Sequence, residues 1–249
     1  MCGGMAEPAL PSLAALARDR DPDRFLCALF APAAKREALF ALILFNDELA
    51  RAREVARNPM AALIRLQWWR DAIEAARQGR PPLRHEVAGP LAVAIAEAAL
   101  DADDLLAMVD AREAETEEEG IATQAAFESY LRASAGGFAV AAGRLLAGAG
   151  AHLAALQALG GFYGLAGVLR SVAARAAQGH CLLPAKTLAE AGIDAVSVLR
   201  DPRDARLGRL VARLAAEGQE RLARGRDAGG PRGLGDRLAV VFAGLRGKP

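Results

Sequence analysis

Apolar residues recur along this chain at helical spacing, and no stretch alternates as a strand would. The clearest pattern lies in residues 32–56. There Leu39, Leu42, Ile43, Phe45, Leu49 and Ala52 share one broad face and predict a long helix. Pro32 suits its first turn, where a missing N–H is no loss. Asn58-Pro59 ends that helix, and Leu63, Leu66, Trp69 and Ile73 mark a second one that closes near Gln78-Gly79.

The same reading places further helices at 8–20, at 24–31 behind Asp21 or Asp23 as cap, at 84–98, and at 102–116 opening on Asp101. Others follow at 122–146, 151–177, 184–192, 203–224 and 234–245, with a loop at Arg80-Pro81-Pro82 and a break over 179–184. The expectation is an all-α fold, one helical bundle domain over 1–249. Residues 1–7 lie outside its ordered part, and a flexible loop at 225–233, around Gly229-Gly230-Pro231, precedes the last helix.

Composition sharpens this picture. Hydrophobic residues make up 53% of the chain but aromatics only 5%, so the core must be built mostly from alanine, leucine and valine. A net charge of +1 argues against nucleic-acid binding by bulk electrostatics. Residues 200–249 nevertheless carry twelve Arg or Lys against six Asp or Glu. That excess reads either as a solvated helical surface or as an attachment to an anionic membrane. Leu145 to Leu169 holds 25 residues without a formal charge. Its six glycines, with His152 and Gln157, favour a helix buried in a bundle over a membrane span. Cys2, Cys27 and Cys181 are too dispersed for a disulfide framework or a zinc site. With no signal-peptide pattern after Met1 or Met5, a cytoplasmic protein is expected, peripheral at the inner membrane if the basic end binds lipid.

Candidate chemistry is sparse. Glu113, Glu115, Glu117, Glu118 and Glu119 form an acidic run that reads as a solvated helix end, although pairs one turn apart could hold a cation. Asp47, Glu48 and Glu54 lie on the long helix with Arg51, and Asp47 with Arg51 has ion-pair spacing. From Ser129 to Ala189 there is no Asp or Glu at all, but Arg132, Arg144, Arg170 and Arg175 are present. Arg170 and Arg175 either face an internal cavity, where they would bind an anion directly, or snorkel to solvent. Trp68 and Trp69 point about 100° apart, so one anchors the core while the other lies nearer a groove or interface. The expected interface set is Arg65, Trp68, Trp69, Arg70 and Asp71. His85, His152 and His180 are too scattered to form a catalytic or metal group.

The run Asp23-Arg24-Phe25, then Pro32, Arg36 and Leu39-Phe40-Ala41-Leu42 with Phe45, then Ile64-Arg65-Leu66-Gln67-Trp68-Trp69-Arg70-Asp71 resembles the squalene/phytoene synthase family. The small-residue stretch after Tyr130 and the His180-Cys181-Leu182-Leu183-Pro184 segment are similar to it as well. The resemblance implies the type I isoprenoid-synthase architecture, and it is strongest to a divergent bacterial branch that resembles the family's mitochondrial complex I assembly factor. In the family's synthases, two Asp-rich motifs hold Mg²⁺, which binds the diphosphate of a prenyl substrate. The positions matching the first motif are Ala50 and Glu54. Those matching the second are Gly167, Arg170, Ser171 and Arg175, of which only Arg170 keeps the family's residue.

Both motifs are thus expected to be degenerate, with no metal, no cofactor and no confident catalytic residue. The remaining cavity candidates are Asp47, Glu48, Arg51, Tyr130, Arg170 and Arg175. The function this implies is a non-catalytic assembly or scaffold factor for a membrane enzyme such as complex I. The alternatives are an active prenyltransferase with rearranged Mg²⁺ ligands, or a metal-free binder of prenyl diphosphate or lipid.

Overall fold

The computed structural model describes residues 12–56, 58–117, 120–147 and 152–226. Every regular element among them is helical. In order these are α1 (Leu13–Arg20), α2 (Pro22–Ala28), α3 (Ala33–Glu54), α4 (Pro59–Arg77), α5 (Ala88–Ala96) and α6 (Ala102–Ala111). A 3-10 turn (Arg112–Thr116) leads to α7 (Gln124–Ala133), α8 (Ala135–Ala147), α9 (Leu153–Ala177), α10 (Ala185–Glu190), α11 (Ala195–Arg200) and α12 (Ala205–Arg226). The segments expected at 1–7 and 234–245 lie outside the described residues. So does most of the loop at 225–233, whose first two residues belong instead to α12.

The starts of these helices follow from capping side chains. Asp21, rather than Asp23, accepts the Arg24 backbone N–H at α2, and Asn58 accepts that of Ala61 at α4. Asp101 and Thr123 do the same at α6 and α7. The helix expected at 122–146 breaks at Ser134, whose hydroxyl donates to the Tyr130 carbonyl at 2.6 Å. Its backbone leaves helical geometry there, at φ −80° and ψ −82°. The helix expected at 102–116 tightens into 3-10 geometry from Arg112, which changes where the acidic run points. The helix expected at 84–98 is shorter, and α11 was not anticipated at all.

Two cores result. α1–α6 and α8 enclose one around Leu39, Leu42, Phe45, Leu66, Trp69 and Phe138, and α3 runs through its middle with nine buried residues. The edge of Trp69 stands against Phe45 with ring centroids 5.2 Å apart. The second core gathers Phe127, Tyr130, Val168, Leu183, Leu188 and Leu210 from α7 and α9 through α12. α8 and α9 join the halves by close approach: a Cβ on Gly160 would lie 2.5 Å from the Ala135 carbonyl oxygen. That contact needs glycine.

Candidate functional site

Where the cores meet, a polar cluster is buried that the sequence pattern did not announce. Arg112 and Glu115 face inward from the 3-10 turn, and Tyr130 reaches them from α7. Arg112 Nη1 lies 2.6 Å from Glu115 Oε1, and the Tyr130 hydroxyl donates to that same oxygen at 2.6 Å. Arg112 also approaches the Tyr130 oxygen at 3.4 Å and Asn46 Oδ1 of α3 at 3.5 Å. The Glu115 side chain is 1% exposed. It is therefore not part of a solvated helix end, because the tighter 3-10 winding turns it inward. Burial opposes the charge on Arg112, but the Glu115 carboxylate outweighs it and holds the guanidinium above its usual range. Burial first, then Glu115, pushes the Tyr130 hydroxyl up.

α9 closes the cluster from the other side. Arg175 Nη1 stands 3.8 Å from Glu115 Oε2, and Arg175 Nη2 stands 3.7 Å from Glu54 Oε1 at the end of α3. Its Nε donates to Ser171 Oγ at 3.3 Å, and Ser171 in turn donates to the Val168 carbonyl. Glu54 of α3 thus meets Arg175 and its neighbour Ser171 of α9, more than 100 residues away in sequence. Ala50 is half-buried one turn before Glu54. A small pocket of about 180 Å³ opens beside them, lined by Arg53, Glu115, Glu117, His180 and Cys181 among others. Burial, then Arg53 and Arg175, lowers the pKa of His180 against an opposing pull from Glu115.

Other expected site residues are placed elsewhere. Arg170 is exposed and sits about 140° around α9 from Arg175, so the two do not form one anion-binding pair. Asp47 and Glu48 belong to a separate group on α3. Arg20 bonds Glu48 at 2.5 Å, pairs with Glu86 and lies 3.6 Å from Asp47, while Arg51 approaches Asp47 at 3.8 Å. Burial raises the Asp47 pKa despite Arg51 and Arg20.

In the proposed interface run, Trp69 is core at 1% exposure. Arg70 is tied to Asp110 at 2.7 Å and Glu113 at 2.5 Å, so it braces α4 against the α6 region. Arg65, Trp68 and Asp71 remain exposed, and Asp71 accepts from Gln67. Arg112 and Asn46 were missed outright. The one available signal was Arg112 standing three residues before Glu115.

A family model of squalene/phytoene synthase matches residues 17–244, and the chain belongs to that family. Solved structures agree on the all-α isoprenoid-synthase fold. A dehydrosqualene synthase crystallised with ligand superposes at a TM-score of 0.72 over 93% of this chain and 82% of its own, with 15% identity. The squalene synthase HpnC from Alicyclobacillus acidocaldarius superposes at 0.73 over 93% and 88%, with 18% identity.

Among curated proteins, complex I assembly factor 6 of Homo sapiens is 32% identical over 115 residues, 46% of this chain. Its counterpart in Mus musculus is 25% identical over 203 residues, 81% of this chain. The matched parts span 34% and 61% of those two relatives' own lengths.

Proposed function

We propose that this protein is a non-catalytic member of its family that serves the assembly of a respiratory membrane complex, with complex I as its client. The observation that carries the reading is the Arg175 bridge. A hard divalent cation needs several oxygen ligands, and in this family's synthases it would be held between carboxylates on two helices. Here the α9 side offers Ser171 and a guanidinium, and that guanidinium already lies within 4 Å of Glu54 and Glu115. Asp47 and Glu48 are engaged by Arg20 and Arg51. This donor set does not suit Mg²⁺. A fixed positive charge supplied by the chain stands in the metal's place, and it serves the fold.

The relatives named as complex I assembly factors support a client of that kind. Such a client places the protein at the membrane surface, as a peripheral partner of subunits awaiting insertion. The test is deletion of the gene in its host, followed by oxidation assays on isolated membranes. NADH-driven quinone reduction by complex I should fall several-fold while succinate oxidation stays intact. Both the wild-type gene and a Glu54→Gln variant should restore it. Intact complex I with loss of a squalene- or carotenoid-type lipid would overturn the proposal.

A further inference from the structure

Between Arg24 and Lys35 every exposed residue is apolar: Leu26, Leu29, Phe30, Pro32, Ala33 and Ala34. They belong to the end of α2, the turn after it and the first residues of α3. Leu26 is 56%, Leu29 42% and Phe30 76% exposed, and Phe30 is the most open large apolar side chain among the described residues. A phenylalanine open to that degree projects from the surface and does not lie in a groove. Single exposed apolar residues are ordinary, but three large ones within five positions form a patch that marks a contact site.

The base of this projection is fixed. Cys27, Ala28 and Ala31 are buried, and Phe25 stacks on Phe40 of α3 with ring centroids 5.6 Å apart. The Phe30 N–H donates to the Cys27 carbonyl at 3.1 Å and the Ala31 N–H to that of Ala28 at 3.0 Å, so the chain turns tightly beneath the exposed side chains. Two cations stand at the same base. Arg36 Nε donates to the Ala31 carbonyl at 2.9 Å, and Lys35 Nζ donates to the Leu146 carbonyl of α8 at 3.1 Å. Both residues are half-buried, and neither is ion-paired with a carboxylate among the described residues. Asp23, the exposed acid of α2, lies six residues and about 9 Å before Leu29. Glu37 follows Arg36 but points about 100° away from it around α3.

We propose that this projection is where the protein meets a lipid bilayer. Leu26, Leu29 and Phe30 enter the boundary between headgroups and acyl chains, and Lys35 and Arg36, set behind the tip, meet the lipid phosphates. An interfacial anchor divides its contacts in this way, with apolar side chains below and cations at headgroup level. The tip supplies most of the attraction, and the two cations supply a preference for anionic headgroups. The inference deepens the peripheral placement given above and rests on that reading only for which membrane is met.

Full-length protein mixed with vesicles of phosphatidylcholine, with and without phosphatidylglycerol, tests this by co-sedimentation. Phe30→Asp should weaken binding to both kinds of vesicle by about tenfold or more, and Leu26→Asp should repeat the loss at a second position. Ile64→Asp alters a comparably open apolar side chain on α4, 65% exposed, and should bind as the wild type does. Lys35→Gln with Arg36→Gln should lower binding to the anionic vesicles and leave binding to pure phosphatidylcholine unchanged. Hydrogen exchange across 26–34 should slow when vesicles are added. A wild type that ignores both vesicles, or equal losses from Phe30→Asp and Ile64→Asp, would overturn the proposal. Self-association without lipid that Phe30→Asp abolishes would overturn it in favour of a second copy on the patch. Slow exchange across 26–34 that vesicles leave unchanged would overturn it in favour of a cover from the chain itself. The assembly reading fails separately: gene deletion that leaves complex I intact removes that reading and not the vesicle result, whereas a complex I defect without vesicle binding removes the membrane face alone.

Discussion

α3 and α9 are the two long helices that meet at Glu54 and Arg175, and they are held in opposite ways. Nine of the 22 residues of α3 are buried, among them an unbroken run from Leu39 to Phe45. Only five of the 25 residues of α9 are buried, and it meets α8 through glycines instead of interlocking side chains. The acids near the end of α3 are held by arginines, and the single guanidinium of Arg175 ties α9 back to them. A framework that must be rigid for packing is therefore kept where the side chains are large. The looser side, α9, is tied to α3 and the 3-10 turn by one ion-paired side chain, Arg175.

The largest effect should come from the α3 side. Trp69 stands against Phe45 at 1% exposure, so Trp69→Ala should cost about 3–5 kcal/mol by chemical denaturation. Trp68 is 38% exposed, and Trp68→Ala should cost under about 1 kcal/mol. Equal losses would mean that the aromatic pair works as one unit.

On α9 the comparison sharpens at two glycines. Gly160→Ala drives a methyl to within 2.8 Å of both Ala139 Cβ and Gly136 Cα as well as onto the Ala135 carbonyl, and should cost about 1–3 kcal/mol. Gly167→Ala meets no atom within 4 Å and should stabilise by up to about 1 kcal/mol through helix propensity. A neutral Gly160→Ala would show that the α8–α9 approach is looser than the geometry implies.

A smaller effect is expected from pH at the junction. The folded-state pKa of His180 lies below its ordinary value of 6.5. The native state therefore binds fewer protons than the unfolded chain in the window beneath that value. Stability from this group is fully present above about 6.5 and declines as pH falls toward the folded pKa. His180→Asn should flatten that part of the stability profile, as followed by thermal melts between pH 7 and 5. An unchanged slope would place its origin elsewhere.

How much of this was legible in the sequence differs in the same way between the two halves. α3, α4 and the caps at Asp21, Asn58 and Asp101 follow from local spacing, because each is decided within a few residues. The family resemblance covers nearly the whole chain, but its most specific run, Arg65 to Asp71, lies in the same half. The buried cluster did not follow. Glu115 stands in a run of glutamates that looks solvated, and its burial depends on 3-10 winding together with Tyr130 and Arg175, 15 and 60 residues away. The break at Ser134 escaped notice for a related reason. Its hydroxyl competes for a backbone carbonyl only once the packing of α8 against α9 makes a bend favourable.

The central claim is that the Arg175 bridge holds the place where catalysis would need metal. Its most direct test is diphosphate release from farnesyl or geranylgeranyl diphosphate by purified protein with Mg²⁺, compared between wild type and Glu54→Gln. The account predicts release at the buffer rate for both. Release at enzymatic rates from the wild type, abolished by Glu54→Gln, would contradict it.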